Sequence, residues 1–205
     1  HRAGTERLRG IIRTSSDLGV EVLSIFAFST ENWQRPQAEV DVLMGLLREF
    51  FSKEIDELDA NRVRIRILGS LSDVSQSVRA ILEAAQARTA ANTGLQLNIA
   101  FNYGSRSEIV RAARLLAEAV QQGAITPAAI DEPALMQRLY THDQPDVDLL
   151  IRTSGELRLS NFLLLQCAYA ELYFTDRYWP DFSDEAYRDA LRDYASRDRR
   201  YGRVK

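Results

Sequence analysis

The chain has one cysteine, Cys167, among its 205 residues. A lone thiol closes no internal disulfide, and such usage fits a reducing cytosol, so a cytoplasmic location is expected. Long apolar runs are missing as well. Phe162-Leu163-Leu164-Leu165 is among the longest, far short of the roughly 18 residues that span a bilayer. There is no internal repeat, low-complexity tract or Gly/Ser linker, which excludes fibrous and tandem architectures. Neither G-x-G-x-x-G nor G-x-x-x-x-G-K-[ST] occurs, which counts against a generic nucleotide-binding protein. Lysine is nearly absent. Lys53 and Lys205 are the only two, so arginine supplies the rest of the 26 basic residues. Set against 29 acidic residues the net charge is −3, which excludes a general nucleic-acid footprint.

The residues present are those of one globular domain. Apolar types make up 45% and charged types 27%, and the length suffices for a sizeable core. Helical and strand patterns alternate. Leu8, Ile11 and Ile12 sit at helical spacing, with Gly19 as a stop. Val20 to Phe28 is a nearly continuous apolar run, the pattern of a buried strand. Pro36 opens a helix to about Asn61 whose stripe includes Val40, Leu43, Leu47, Phe50 and Leu58. Val63, Ile65 and Ile67 alternate with arginines as a strand. Ser72 or Asp73 can cap a helix carrying Val78, Leu82 and Ala85. Leu95 to Phe101 is a strand, Ser107 to Gln122 a helix and Val147 to Ile151 a short strand. A further short strand is expected at Glu171 to Phe174 and a helix from Asp184 to Arg199. Strands separated by helices predict an α/β fold with a parallel sheet covered on both faces. Ligands then collect beyond the carboxyl ends of strands, after Phe28, Phe101 and Ile151.

Three polar loops follow those strands. Ser29-Thr30-Glu31-Asn32-Trp33-Gln34-Arg35 leads into a helix, and reads slightly better as a capped helix start than as an anion site. Asn102-Tyr103-Gly104-Ser105-Arg106-Ser107 is a strand-to-helix turn where a backbone could approach phosphate, although a plain turn explains it better. Arg152-Thr153-Ser154-Gly155-Glu156-Leu157-Arg158-Leu159-Ser160-Asn161 is the most informative. Two guanidiniums and a hydroxyl at a strand end suit a diphosphate. Glu171, in an apolar stretch, needs a partner, either an arginine or a hard cation such as Mg²⁺. Cys167 reads as a core residue, and the acidic residues around His142 read as a polar loop.

Together these segments resemble the cis-prenyltransferases. The likeness rests on Ala27-Phe28-Ser29-Thr30-Glu31-Asn32-Trp33-x-Arg35-Pro36, Asn98-x-x-x-Asn102-Tyr103-Gly104, Asp148-x-x-Ile151-Arg152-Thr153-Ser154-Gly155-Glu156-x-Arg158-x-Ser160-Asn161-Phe162 and Tyr169-x-Glu171-Leu172-Tyr173-Phe174, in that order. It runs from His1 to about Gly202, and is greatest to the bacterial undecaprenyl diphosphate synthases. It implies a six-stranded parallel sheet with an apolar tunnel, Mg²⁺ dependence and a homodimer. It implies condensation of an allylic diphosphate, commonly farnesyl diphosphate, with successive isopentenyl diphosphates to a long Z-polyprenyl diphosphate, the undecaprenyl lipid carrier of cell-wall synthesis. It assigns Arg152, Arg158 and Ser160 to the isopentenyl diphosphate and Glu171 to Mg²⁺. Ser29, Asn32, Trp33 and Arg35 fall in a substrate loop, with Asn32 near the proton transfer. His1 falls at the reaction centre, and Arg200 in a terminal Arg-x-Gly that reaches across the dimer.

One part of the family pattern, Asp-Gly-Asn-Gly-Arg-Trp with its preceding strand and catalytic aspartate, is not found in the 205 residues. The expectation is therefore a single catalytic domain over 1–205 without that strand, inactive as given. The alternative is a non-catalytic partner subunit or diphosphate-binding protein of the same fold. Intact Arg152 to Ser160 favours the enzyme. The trans-type prenyltransferases are disfavoured, since no Asp-Asp-x-x-Asp occurs. Ala27, Leu43, Leu47, Val63 and Leu95 are expected to line the tunnel or to belong to ordinary core.

Overall fold

A computed structural model describes residues 2–198. The chain opens with helix α1 (Arg2–Asp17), which ends before Gly19, a residue whose φ of 72° suits glycine. Strand β1 (Val22–Ser29) leads through a 3₁₀ turn (Thr30–Gln34) into α2 (Gln37–Ala60), with Pro36 as its N-cap residue. Then come β2 (Arg64–Leu68), α3 (Gln76–Thr89), β3 (Gln96–Tyr103) and α4 (Ser105–Gln121). A short α5 (Glu132–Met136) precedes β4 (Leu149–Arg152) and β5 (Glu171–Phe174), and α6 (Asp184–Ser196) follows. The N-cap of helix α3 is Ser75, two or three residues later than the expected Asp73 or Ser72. Ser70, Ser72 and Asp73 bond among themselves instead, which is the turn-forming habit of such side chains.

The alternation of helix and strand yields parallel pairing throughout, as expected. The strands form two pieces, a sheet ordered β1-β3-β2 and a pair β4-β5. Central β3 is buried on both faces, which its run of Leu97, Asn98, Ile99, Ala100 and Phe101 requires. One face packs Leu97, Ile99 and Phe101 against α2 and α3 through Phe51, Val78 and Leu82. The other gathers Ala100, Tyr103, Leu150 and Leu163. Helix α6 closes a third cluster, with Ala186, Tyr187 and Ala190 against Ile11 and Ile151. Arg9 ties α1 to the buried Glu54 of α2, donating from Nε at 2.6 Å.

The apolar run at Val20 to Phe28 is less buried than its composition suggests. Of β1 only Phe28 is fully buried, and Ala27 is exposed beside a register shift. The cause is position: among the described residues β1 pairs on one side only, with β3, and its other side borders a cavity. Among the described residues no helix is long and apolar enough to cross a membrane.

Candidate active site

A cavity of ≈ 1060 Å³ lies between the two sheet pieces, bordered by both β1 and β4. Leu8 and Ile11 of α1, Leu43 and Leu47 of α2, and Ile25 and Ala27 of β1 line it. Of the expected tunnel residues, Ala27, Leu43 and Leu47 are therefore in place. Val63 and Leu95 are not. Both are buried in the core around β2 and β3, because their side chains point to the packed face and not to the cavity. Its apolar wall suits a hydrocarbon ligand on one side of the sheet as well as the side chains of a further strand in the gap between β1 and β4.

The same cavity is lined by Arg152, Thr153 and Arg158, at and after the carboxyl end of β4. Arg152 is the notable member. Its Nε is buried and has no hydrogen-bond partner. A buried guanidinium N–H left unpaired costs free energy, and an anion would relieve that cost. Arg158 pairs with Glu156, so an incoming diphosphate has to compete for it. The loop is backbone-constrained. Ser154, Ser160, Asn161 and Leu163 all have positive φ, at 70°, 51°, 63° and 44°. Left-handed non-glycine residues cost about 1–2 kcal/mol each, and such strain gathers at functional sites. Two bonds strap this loop to the one after β5. Ser154 N–H donates to Arg177 O at 2.8 Å and Gly155 N–H to Thr175 O at 3.0 Å.

The loop after β1 is bound to the end of β3. Trp33 Nε1 donates to Asn102 Oδ1 at 2.7 Å, and Asn102 Nδ2 donates to Ser70 O at 2.7 Å. The Trp33 ring also stands edge-on to Phe28, with centroids 4.9 Å apart. Within the loop, Ser29 N–H donates to Asn32 Oδ1 at 2.9 Å. Asn32 thus shapes its own loop in this state. Arg35 pairs with Glu39 in the first turn of α2 at 2.6 Å. The turn after β3 is no open phosphate cradle, because Asn161 occupies it. The N–H groups of Ser105 and Arg106 donate to Asn161 O and Oδ1, each at 2.8 Å.

Glu171 lies elsewhere. It opens β5, where it is paired in register with Leu149, while Arg152 is paired with Phe174 at the other end. Three residues of strand separate the two ends, about 10 Å at roughly 3.3 Å per residue. Arg197 Nη1 donates to Glu171 Oε2 at 2.8 Å. The chain therefore does not bring Glu171 to Arg152, and the carboxylate has found the arginine partner that its sequence context allowed. No three potential metal ligands gather among the described residues, which do not by themselves build a metal centre. His1 and Arg200 lie outside the described residues.

Two residues that carry the site's architecture have no role assigned from sequence. Asn161 is one. The other is Glu108, 2% exposed in α4. Its carboxylate accepts from Tyr103 OH at 2.5 Å, Tyr140 N–H at 2.7 Å and Gln166 Nε2 at 3.1 Å. Burial, then the charge of Glu108, pushes the Tyr103 hydroxyl pKa well up. A visible signal existed. Glu108, Ala112 and Leu116 recur at four-residue steps, which puts the carboxylate on the buried stripe of α4. Elsewhere Cys167 is buried, as expected, and burial pushes its thiol up to about 11.

Comparison with known proteins adds the context. A family described as "Putative undecaprenyl diphosphate synthase" matches residues 1–202. An isoprenyl transferase of Agrobacterium fabrum is 48% identical over 202 residues, covering 98% of this chain and 82% of that protein. A ditrans,polycis-undecaprenyl-diphosphate synthase of Aliivibrio fischeri, described as (2E,6E)-farnesyl-diphosphate specific, is 46% identical, covering 98% of this chain and 79% of that one. Among solved structures, the lavandulyl diphosphate synthase of Lavandula x intermedia, in complex with dimethylallyl diphosphate, superposes with a TM-score of 0.96 at 36% identity. That match covers 99% of this chain and 88% of the other.

Proposed function

The chain belongs to the undecaprenyl diphosphate synthase family of cis-prenyltransferases, and from that premise we propose that it extends farnesyl diphosphate with successive isopentenyl diphosphates to a long Z-polyprenyl diphosphate. The product we propose is the undecaprenyl carrier of cell-wall synthesis. Prenyl chain elongation is the chemistry of the family; the starter, the length and the cellular role are our reading. The observation that carries it is the buried, unpartnered Nε of Arg152 on the wall of an apolar cavity.

In this reading Arg152 and Arg158 hold the isopentenyl diphosphate by paired N–H donors, and the Ser160 hydroxyl adds a third contact. The allylic C–O bond breaks, and its electrons leave on diphosphate. The isopentenyl double bond attacks the allylic carbon, and loss of a proton forms the new alkene. Asn32 and Ser29, one bonded to the other's backbone, belong to the loop that meets the reacting carbons. His1 is assigned beside them by resemblance alone. Trp33 and Arg35 shape the substrate side of that loop. Fixed guanidiniums aimed at the developing charge lower the barrier without reorganising during the step, and holding both substrates supplies positioning. The growing chain lies along Leu8, Ile25, Leu43 and Leu47.

A divalent metal belongs to the chemistry of the family, and we take it to be Mg²⁺. Glu171 is bonded to Arg197, so the described residues do not fit a preformed ion site, and no step is routed through one. Mg²⁺ favours phosphate oxygens with only one or two carboxylates, so we place it with the diphosphate.

Two further parts of the reading concern assembly. A parallel strand belonging to the same domain is proposed between β1 and β4. Each of these has one pairing partner among the described residues, and both border the cavity. A homodimer, with Arg200 reaching the partner's site, is proposed as well. It is supported by the exposed apolar side chains of Leu172 and Phe174 on β5 and of Tyr169 and Tyr178 flanking it, the kind of patch that a partner covers. The test is incubation of the full-length protein with farnesyl diphosphate, radiolabelled isopentenyl diphosphate and Mg²⁺, followed by chromatography of the product. A ladder ending at a long polyprenyl supports the reading, and absence of elongation contradicts it.

A further inference from the structure

Asn161 directly follows Ser160 in the loop after β4, and both residues are left-handed. Its side chain is divided between the 3₁₀ turn after β1 and the N-terminus of α4. Oδ1 accepts the Arg106 N–H at 2.8 Å, and Nδ2 donates to Glu31 Oε1 at 2.9 Å. Its carbonyl accepts from Ser105. The junction has no spare room, because a Cβ on Gly104 would lie 2.7 Å from both Asn161 Nδ2 and Thr30 Oγ1. Segments that follow three different strands thus meet at one amide.

We propose that Asn161 is a positioning residue that couples the Arg152–Arg158–Ser160 diphosphate site to the 29–35 loop, with Glu31 as the receiving group. The inference rests on the diphosphate reading given above. A diphosphate that engages the Ser160 hydroxyl fixes the 160–161 peptide. That peptide orients the amide that holds Glu31, and Glu31 lies two residues before Trp33. Occupancy of the diphosphate site is thereby transmitted to the 29–35 loop. Only a side chain with one donor and one acceptor satisfies Arg106 and Glu31 together. The substitution Asn161→Asp keeps an acceptor for Arg106 but sets a carboxylate against Glu31. Adding Glu31→Gln restores the pair, because the new amide donates to the new carboxylate.

The test is a swap of that pair. Trp33 and Trp179 are the only tryptophans of these 205 residues, so with Trp179 and any tryptophan outside them changed to Phe the emission reports the loop. Calorimetry with isopentenyl diphosphate and Mg²⁺ gives affinity, and titration of emission gives coupling. Asn161→Asp is expected to weaken binding about three- to tenfold and to abolish the emission change, while Glu31→Gln alone stays within about twofold. Glu31→Gln with Asn161→Asp is expected to regain both signals. A double variant no better than Asn161→Asp overturns the coupling. Absence of isopentenyl diphosphate binding by the unmutated protein overturns the diphosphate reading instead. Should Asn161→Asp fail to fold, Glu31→Ala removes the acceptor without adding charge. Retained binding with a lost emission change then supports the coupling, and an unchanged emission response overturns it.

Discussion

The indole N–H of Trp33 donates to Asn102 Oδ1 at 2.7 Å, joining the loop after β1 to the end of β3. Asn102 makes this bond from a left-handed backbone, φ 47°, while its amide nitrogen holds Ser70 O. Asn102→Ala loses both hydrogen bonds and keeps the unfavourable φ. The expected cost is about 3–4 kcal/mol, from roughly 1 kcal/mol for each bond plus about 1–2 kcal/mol because alanine tolerates a left-handed backbone less well than asparagine. Asn102→Gly loses the same bonds but relieves the backbone, so it should be the more stable of the two. Urea unfolding of both variants checks the order.

Glu108 holds three donors in a buried pocket, and its loss leaves them unpaired. Glu108→Ala is expected to destabilise by about 2–4 kcal/mol. Tyr103→Phe removes one donor and should cost about 1–2 kcal/mol. Denaturant midpoints report both, and a Glu108→Ala variant as stable as the parent would contradict the buried network.

Asp143 gives a pH signature. A hydrogen bond from Arg66, foremost, holds its pKa down at about 2. A depressed carboxylate pKa contributes stability that is present above the unfolded value, near 3.8, and is lost as pH falls toward about 2. The difference in Tm between the parent and Asp143→Asn should therefore be constant above about pH 5 and shrink between about pH 4 and 2. A difference independent of pH would show that the pair makes no such contribution.

Much of this was legible in the residues, and the misses have physical causes. The alternation of apolar runs with helical stripes is local, so β3, α2 and α4 fall where periodicity puts them. The loop after β4 stood out because two arginines and a serine follow a strand end. Neighbour relations across the chain are not local. Val63 and Leu95 look like Leu43 in composition, and only packing separates core from cavity wall. Glu171 reads equally well as a cation ligand or half of an ion pair, and its bond to Arg197, distant in sequence, could not be foreseen from spacing. Asn161 sits inside a recognised motif, yet its bonds to Arg106 and Glu31 span 55 and 130 residues, beyond any periodic pattern.

The central claim is that Arg152 holds the isopentenyl diphosphate for elongation. Steady-state elongation by the full-length protein, with isopentenyl diphosphate varied, compares the parent with Arg152→Ala and Arg152→Lys. The account predicts a KM for isopentenyl diphosphate raised at least about tenfold in Arg152→Ala, since a hydrogen bond to a charged group is worth about 1.5–3 kcal/mol. Only partial recovery is predicted in Arg152→Lys, which lacks the planar fork. Unchanged KM and kcat in Arg152→Ala would contradict it.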